Sequence, residues 1–257
     1  MINILVTGSD GQLGQCLQKI AHKYPKMTFF FMDRIGLDIT DKNNIQAVFK
    51  KHKFHFCINC AAYTNVEQAE KTPEIAFAVN AVGIRNLAIV CKENNVKLIH
   101  ISTDYVFDGE KKDGYLPSDK PNPINEYGKS KLKGEQYIQE ILKEFIIIRT
   151  SWLYSEFGHN FYKTILKKAK RKETISITDS QIGCPTDANN LALHIINIME
   201  SQEFESGIQH VTDGEAMSWY EFAQKIVKSN KLDREVEVVR DKNYRTFALR
   251  PIISILK

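Results

Sequence analysis

Short apolar runs alternate with segments of helical periodicity over the first part of the chain. The apolar runs occupy residues 2–7, 28–32, 54–60, 97–102 and 145–149. Between them, apolar side chains recur three or four positions apart, as at Leu13, Leu17 and Ile20, which is the spacing of one helix face. A loop rich in Gly, Pro, Asp and Asn covers residues 109–123. The order β-α-β-α-β-α-β-loop-α-β predicts an α/β fold with a doubly wound parallel sheet.

The pattern becomes less regular after residue 150. It predicts an amphipathic helix at 161–171, an alternating strand at 174–178, a helix at about 187–199, a strand at 207–212 and a helix that Ser218 caps. We therefore predict one domain over residues 1–150, rejoined by about 187–213. A smaller lobe then covers most of residues 151–257, and one of its strands returns to the main sheet.

Composition and charge limit the class of protein. The 257 residues are 43% hydrophobic, and 35 basic residues against 31 acidic ones leave a net charge of +4. This excess is too small to indicate a nucleic-acid partner, and it is compatible with an anionic small-molecule ligand. A strand-like run follows Met1 directly, and no apolar run reads as long enough to cross a membrane. We predict a cytoplasmic protein without a membrane partner.

The five cysteines are scattered through apolar segments, and their odd number is typical of reduced thiols in a cytoplasmic protein. Cys57 and Cys60 form a CxxC pattern. On a strand, this odd spacing places the two sulfurs on opposite faces. We interpret both as buried apolar side chains and expect neither redox chemistry nor zinc binding there.

A glycine-rich turn lies between the first strand and the first helix. Gly8, Gly11 and Gly14 permit a tight turn and close approach of backbone N–H groups to a pyrophosphate. The start of the following helix adds positive potential at the same place. This context predicts a Rossmann-like domain that binds a dinucleotide.

The second strand ends at Asp33, nineteen residues after Gly14. A carboxylate at this position can accept a hydrogen bond from the adenosine ribose, which favours NAD. Arg34 beside it can instead meet a 2′-phosphate, which favours NADP. An ordinary turn role for Asp33 is the alternative interpretation.

The end of the third strand carries the small residues Ala61 and Ala62. They let a flat ligand lie against the backbone at the edge where open parallel sheets bind ligands. Asn80 falls in the middle of the next long helix among apolar side chains. A buried amide needs partners, so we expect Asn80 to hold neighbouring backbone in place.

The candidate chemistry lies at Tyr127 and Lys131, which are four residues apart on one helix face. A free tyrosine titrates near ~10, and a neighbouring ammonium is expected to lower the pKa of the phenol and make it a usable acid/base. Ser102 and Thr103 end the preceding strand, and one of these hydroxyls can hold a carbonyl oxygen that becomes negative. The alternatives are a chance pair on a surface helix and a hydroxyl that only caps a strand end.

Taken together, these motifs resemble the extended short-chain dehydrogenase/reductases that act on nucleotide sugars. The resemblance covers nearly the whole chain. It is most specific in segments 7–14, 59–64, 102–107, 127–131, 149–154 and 181–186.

The resemblance implies roles for individual residues. Tyr127 is the expected proton donor, Lys131 the residue that positions the nicotinamide ribose, and Thr103 the residue that polarises the ketone. Thr103, Asp104 and Trp152 are the expected sugar contacts. The residues assigned to the cofactor are Gly8, Gly11, Gln12, Leu13, Gly14, Asp33, Arg34, Asp38, Ile39, Ala61, Ala62, Tyr63, Thr64, Ile101, Tyr127 and Lys131.

The implied reaction uses NADPH or NADH to reduce the 4-keto group of dTDP-4-dehydro-6-deoxy-L-mannose to dTDP-L-rhamnose, in polysaccharide biosynthesis. One alternative is a reductase of another nucleotide-linked 4-keto-6-deoxy sugar, such as a UDP-linked one. The other is a non-catalytic NADP-binding regulatory subunit of the same family.

The sequence departs from the family pattern at two places. Residues 250–254 resemble a segment that normally continues into a helical tail, whereas the sequence given ends at Lys257. We therefore expect a shortened C-terminus, which leaves closure over the sugar and a homodimer contact open. Some family members carry a magnesium site with acidic ligands, but Gln15 stands at the associated position, so we predict no metal.

Overall fold

The computed structural model describes residues 1–201 and 203–257. Thirteen strands lie within these ranges. They are β1 Ile2–Thr7, β2 Met27–Met32, β3 Phe56–Asn59, β4 Lys97–Thr103, β5 Phe145–Thr150, β6 Leu153–Tyr154, β7 Ile175–Ile177, β8 Ile182–Gly183, β9 Thr186–Asp187, β10 Gly207–His210, β11 Met217–Ser218, β12 Val238–Arg240 and β13 Ile253–Ser254.

Nine α-helices lie within the same ranges. They are α1 Gln12–Ala21, α2 Lys42–Lys51, α3 Val66–Lys71, α4 Pro73–Phe77, α5 Ile84–Glu93, α6 Glu126–Ile141, α7 Phe161–Lys170, α8 Ala188–Glu200 and α9 Trp219–Ser229. A π-helical segment, Ala78–Gly83, joins α4 to α5, and a 3₁₀ turn, Asp104–Val106, follows β4.

Six strands form one sheet in the order β10-β5-β4-β3-β1-β2. Every neighbouring pair in it is parallel. The predicted α/β fold with a doubly wound parallel sheet is therefore confirmed. β1 lies between β2 and β3, so the chain leaves β1 toward one side and later crosses to the other. Such a switch point opens a crevice at the carboxyl ends of the strands.

Alternation along each strand sends side chains to two separate cores. Leu5, Leu98 and Ile147 face the side covered by α2, α5 and α6, while Ile58 and Ile148 face the side covered by α1 and α8. Burying each such side chain fully contributes roughly 1.5–3 kcal/mol. Both faces of the sheet are covered, which explains why its strands are continuous apolar runs.

The two cysteines of the CxxC pattern lie on opposite sides of this sheet. Cys57 belongs to the first core, and Cys60 packs against the second. All five cysteines are free thiols, and burial raises the pKa of Cys60 to about 12. The interpretation as a buried apolar side chain is confirmed for Cys57, whereas Cys60 is only partly buried and lines the crevice described below.

The lobe has a small core of its own between α7 and α9. Ile165, Ile175, Phe222 and Ile226 are buried there. Ser218 begins α9 with a capping box in which its side chain and that of Glu221 each bond the other's backbone. β10, by contrast, extends the main sheet beside β5.

The expectation that no apolar run is long enough to cross a membrane was wrong. The continuous helix Pro73–Glu93 is long and apolar enough, by length and composition alone, to cross a membrane, and half of its most apolar window is buried inside the protein. Its side chains Ile84, Leu87 and Val90 are fully buried in the first core. The π-helical segment in its middle places Asn80 toward the site.

Candidate functional site

The turn between β1 and α1 is built around two close backbone contacts. Gly8 has φ +61°, and a Cβ there would lie 2.6 Å from the backbone nitrogen of Ala61. A Cβ on Gly14 would lie 2.6 Å from Ser9 Cα. Only glycine permits these approaches. α1 starts at Gly11 without a side-chain cap from the described residues, so its first N–H groups suit an anion such as a pyrophosphate.

A cavity of about 240 Å³ lies beside this turn, between β1, β2 and β3. It brings together eight of the predicted cofactor residues. They are Gly8, Gly11, Arg34, Asp38, Ile39, Ala61, Ala62 and Tyr63. Their chemistry suits an adenosine half of a dinucleotide, with small residues for a flat ring and charged side chains at one end.

Asp33 lies outside this lining. Its Oδ1 accepts a hydrogen bond from Gly36 N at 2.8 Å, so the carboxylate holds the turn after β2. Arg34 is instead at the rim, with its side chain 81% exposed and its Nε 3.7 Å from Asp38 Oδ2. Hydrogen bonds from Thr40, aided by Arg34, lower the pKa of Asp38. Asp33 thus has a structural partner in its own turn, and Arg34 is a charged side chain at the rim of the cavity.

A second cavity of about 630 Å³ continues the crevice toward the lobe. Gly11, Cys60 and Ala62 line both cavities. The predicted residues that line only the second one are Gln12, Leu13, Thr64, Ile101, Thr103, Asp104, Tyr127, Lys131 and Trp152. Gly14 lines neither cavity, and its role is the close packing of α1.

The start of α6 places Tyr127 in this second cavity. Asn125 caps the helix by accepting from Gly128 N at 2.7 Å, and a Cβ on Gly128 would lie 2.1 Å from the carbonyl oxygen of Tyr105. The helix start is therefore pressed onto the turn after β4. The rings of Tyr105 and Tyr127 meet edge to face, with centroids 5.7 Å apart.

Lys131 lies one turn further along α6 and is 2% exposed. Its Nζ donates to the carbonyl oxygen of Ile101 at 2.7 Å. Burial lowers the pKa of Lys131 to about 8 and raises that of Tyr127 to about 12, against a hydrogen bond from Thr103 that lowers it. The expected lowering of the Tyr127 pKa by Lys131 was wrong for the protein without ligand. Burial disfavours charge on both groups and is the largest cause of each pKa shift.

The two strand-end hydroxyls have different roles. Ser102 Oγ donates to Glu135 Oε1 at 2.5 Å, and Glu135 pairs with the buried guanidinium of Arg149 at 2.7 Å. Thr103 is the hydroxyl that remains beside Tyr127; its Oγ1 contacts Asp104 Oδ1 at 3.0 Å.

Asp104 carries an unsatisfied oxygen. The side chain is 2% exposed, and its Oδ2 has no hydrogen-bond partner among the described residues. Burial raises the pKa of Asp104 to about 6. A buried polar atom without a partner is costly, and the nearby hydroxyl of Ser254 counteracts part of the pKa rise of this carboxyl.

Trp152 has less free surface than the sequence led us to expect. Its ring stacks on Trp219 with centroids 3.5 Å apart and planes 6° from parallel. A Cβ on Gly183 would lie 2.6 Å from Trp152 Cε2, with the neighbouring ring atoms next nearest, so Gly183 packs closely against the same ring. Trp152 lines the second cavity, but the ring face stacked on Trp219 is covered.

Sequence reasoning missed several lining residues, among them Asn160, Phe161 and Trp219. Asn160 Nδ2 donates to Gln12 Oε1 at 2.5 Å, and Gln12 Nε2 donates to Leu153 O at 3.0 Å. Gln12 thus ties α1 to the lobe, in addition to lining the cavity. These contacts join residues about 140 positions apart, and local periodicity carries no signal for them.

Asn80 holds the wall of the site as expected. Its side chain accepts from Tyr63 N at 2.8 Å, donates to Tyr63 O at 2.9 Å, and donates to Ser130 Oγ at 3.0 Å. The amide joins the strand end after β3 to α6. Its predicted structural role is confirmed.

Comparison with known proteins gives one consistent result. The family model described as "RmlD substrate binding domain" matches residues 2–257. A dTDP-4-dehydrorhamnose reductase of Aggregatibacter actinomycetemcomitans is 36% identical, over 100% of this chain and 90% of that protein. A dTDP-4-keto-6-deoxy-D-glucose reductase of Streptomyces niveus is 37% identical, over 86% of this chain and 76% of that protein.

A solved structure resembles the whole fold. The crystal structure of a dTDP-4-dehydrorhamnose reductase from Bacillus anthracis in complex with NADP has a TM-score of 0.94 and 38% sequence identity, and the match covers 100% of this chain and 90% of that one. The chain therefore belongs to the family of the dTDP-4-dehydrorhamnose reductases, whose family model is described as the RmlD substrate binding domain.

Proposed function

We propose that this protein is an NAD(P)H-dependent oxidoreductase that reduces the 4-keto group of dTDP-4-dehydro-6-deoxy-L-mannose to dTDP-L-rhamnose. One observation carries the proposal: Tyr127, Lys131 and Thr103 meet in a cavity continuous with the glycine turn. A ketone in that cavity can lie beside both an acid and the reactive end of a bound dinucleotide. The names of the relatives support this substrate, and the pathway is polysaccharide biosynthesis.

The residues present fit a nicotinamide dinucleotide. The cradle at Gly8 and Gly14 excludes any Cβ, and the crevice passes from Arg34 and Asp38 to Lys131. When bound in its reduced form, this cofactor supplies the hydride. The NADP complex of the relative supports NADPH, and Arg34 at the rim is a suitable partner for a 2′-phosphate.

The protein supplies the proton and the orientation. The raised pKa of Tyr127 keeps its phenol protonated at neutral pH, so Tyr127 Oη can give its proton to the ketone oxygen as negative charge develops there. Thr103 Oγ1 donates to Asp104 Oδ1 in the protein without substrate, and by turning this proton to the ketone oxygen it can supply a second hydrogen bond there. Lys131 orients the nicotinamide ribose, and Asp104 Oδ2 accepts from a sugar hydroxyl.

We propose a division of labour between the two parts of the chain. Residues 1–150, rejoined by 187–213, hold the cofactor, and the rest of 151–257 holds the sugar. The stacked pair Trp152 and Trp219, with Phe161 tilted against Trp219, gives the lobe side of the cavity an apolar wall. Such a wall suits the methyl group of a 6-deoxy sugar.

The test is a reductase assay with purified protein. Reduced nicotinamide consumption is followed with dTDP-4-dehydro-6-deoxy-L-mannose, and the product is compared with authentic dTDP-L-rhamnose by chromatography. Turnover with the dTDP sugar and much less with the UDP-linked analogue supports the proposal. Cofactor binding without turnover on any such ketone would indicate the non-catalytic regulatory subunit instead.

A second candidate substrate follows from the Streptomyces niveus relative, whose name specifies a dTDP-4-keto-6-deoxy-D-glucose. The two sugars carry the same reactive ketone. The same assay run with both substrates ranks them by kcat/KM. A homodimer, a cytoplasmic location and the lack of a metal at Gln15 remain predictions.

A further inference from the structure

A buried chain of polar side chains lies beneath Lys131. Thr7 Oγ1 donates to Asn59 Oδ1 at 2.6 Å, Asn59 Nδ2 lies 2.9 Å from His100 Nδ1, and His100 Nε2 lies 3.4 Å from Lys131 Nζ. Thr7 and His100 are 0% exposed and Asn59 is 1% exposed. This row of hydrogen-bonded side chains crosses three adjacent strands, β1, β3 and β4, and ends at α6.

The contacts of Asn59 decide which way its amide points. Its Nδ2 also donates to the carbonyl oxygen of Ala61 at 3.2 Å. The 2.6 Å contact with Thr7 is usual for an O–H···O bond and short for an N–H···O bond. With the amide reversed, Asn59 Oδ1 would face the carbonyl oxygen of Ala61, and two acceptors cannot form a hydrogen bond. Asn59 therefore donates to His100.

This orientation fixes the tautomer of His100. A nitrogen that accepts from Asn59 carries no proton, so Nδ1 is the acceptor and the neutral imidazole has its proton on Nε2. That N–H points at Lys131 Nζ. An ammonium offers only donors and would place N–H against N–H, whereas a neutral amine has a lone pair that can accept.

We propose that His100, oriented by Asn59, is a positioning residue that donates its Nε2–H to Lys131 and favours the neutral amine over the ammonium. The hydrogen bond itself does not depend on the proposed function. Only its consequence for catalysis rests on that function. A lysine held between its two forms can exchange a proton within the cavity during turnover, whereas a permanently charged one cannot.

The other groups around Lys131 are compatible with this arrangement. Glu135 on α6 acts on Lys131 through space and favours the ammonium, but its carboxylate is bonded to Arg149 and Ser102. Cys60, after β3, is a partly buried thiol that also favours the ammonium through space, and burial raises its own pKa to about 12. Tyr127 on α6 stays protonated at neutral pH because burial raises its pKa. Burial and Lys131 together hold the pKa of His100 well below its usual value.

The first test is made on the unmodified, cofactor-free protein. The ¹⁵N chemical shifts of the His100 ring report which nitrogen carries the proton, and the His100→Gln spectrum assigns the signals. We expect the Nε2–H tautomer at neutral pH. A proton on Nδ1, or a doubly protonated ring, would overturn the proposal without any variant having to fold.

The second test follows the titration of Lys131 Nζ by NMR, assigned with Lys131→Met. In His100→Gln the amide oxygen can accept from an ammonium, so the pKa of Lys131 should rise by about one unit. The matched control His194→Gln removes a histidine on α8 that contacts Gln209 at 3.3 Å, and it should leave the titration unchanged. An unmoved or lowered titration in His100→Gln would contradict the proposal.

The pH profile of kcat/KM links this interaction to the reaction. If Lys131 takes part, the limb of the profile that reports its deprotonation should move to higher pH in His100→Gln and stay in place in His194→Gln. A protein that lacks turnover would refute the proposed function, while both NMR measurements would still decide the role of His100.

Discussion

At the residue scale, burial rather than a charged neighbour sets the pKa of Tyr127, the proposed proton donor. The spacing of Tyr127 and Lys131 was readable from the sequence, since a helix places such residues on one face. The direction of the pKa shift was not readable. Spacing says nothing about how much water reaches a phenol, and here burial decides the outcome.

Replacing Tyr127 by Phe removes the proton and keeps the ring. We expect Tyr127→Phe to bind NADPH with nearly unchanged Kd and to lose about 10²–10⁴-fold in kcat, which is the usual contribution of a placed acid. Fluorescence titration and the reductase assay measure the two quantities. Turnover close to that of the unmodified protein would remove Tyr127 from the mechanism.

Arg34 is expected to set the cofactor preference, because its exposed guanidinium lies at the rim of the adenosine cavity. Charge-assisted hydrogen bonds contribute about 1.5–3 kcal/mol, so Arg34→Ala should weaken NADPH binding by roughly ten- to a hundredfold. Binding of NADH, which lacks the 2′-phosphate, should change little.

Asp33→Asn is the matched control for that experiment. The amide oxygen of Asn can still accept from Gly36 N, so the turn is kept while the carboxylate charge is lost. Unchanged NADH binding is expected, in agreement with a turn role. Weaker NADH binding in Asp33→Asn would instead support the ribose contact that the position of Asp33 in the sequence indicated.

At the element scale, the site depends on how α6 meets the turn after β4. The alternation of strands and helices was predictable because each core strand is an apolar run and each helix has a periodic face. The two-residue strands β6, β8, β9, β11 and β13 were not predictable, since pairing across the fold defines them. The π-helical segment around Asn80 was not predictable either, because Asn80 makes tertiary hydrogen bonds to Tyr63 and Ser130.

Gly128 tests this contact between elements. Ala is favoured over Gly in a helix by about 1 kcal/mol, but a Cβ here would lie 2.1 Å from the backbone oxygen of Tyr105. Overpacking of this kind costs typically ~1–3 kcal/mol. We expect Gly128→Ala to lower the free energy of unfolding and, by displacing Tyr127, to lower kcat as well.

The control is Gly36→Ala. Its added Cβ would come no closer than 3.4 Å to Asp33 Oδ1, which is ordinary contact, so stability and kcat should stay near those of the unmodified protein. Urea denaturation and the reductase assay compare the two variants. Equal stability of Gly128→Ala and Gly36→Ala would show that α6 can shift without strain.

At the scale of the whole molecule, charged and polar side chains are buried in the interior, among them Lys131, Asp104 and His100. Sequence reasoning located the sheet edge where they gather, because parallel strands bind ligands at their carboxyl ends. It could not show which of them are buried. His100 stands in an apolar run and reads as a strand residue, and only the assembled sheet brings it to Asn59 and Lys131.

The burial of Lys131 lowers the free energy of unfolding. Its pKa of about 8 in the folded protein lies below the ordinary value of 10.5, so the unfolded chain binds more protons between these two pH values. Stability must then rise with pH through that window. Below it, the native state carries a penalty of roughly 3 kcal/mol, the value of such a shift at about 1.4 kcal/mol per unit.

Lys131→Met removes this penalty while it fills the same space. We expect the cofactor-free variant to be more stable than the unmodified protein at pH 7, by about 1–3 kcal/mol once the lost bond to Ile101 O is allowed for. The difference should shrink as the pH approaches 10, and reduction should be lost. Urea denaturation at several pH values measures the difference in the free energy of unfolding between the two proteins. The contributions of groups that both proteins share, such as Tyr127 and Cys60, cancel in this comparison. A gap that stays constant with pH would mean that Lys131 is charged in the folded protein throughout, and that its burial is offset by the groups around it.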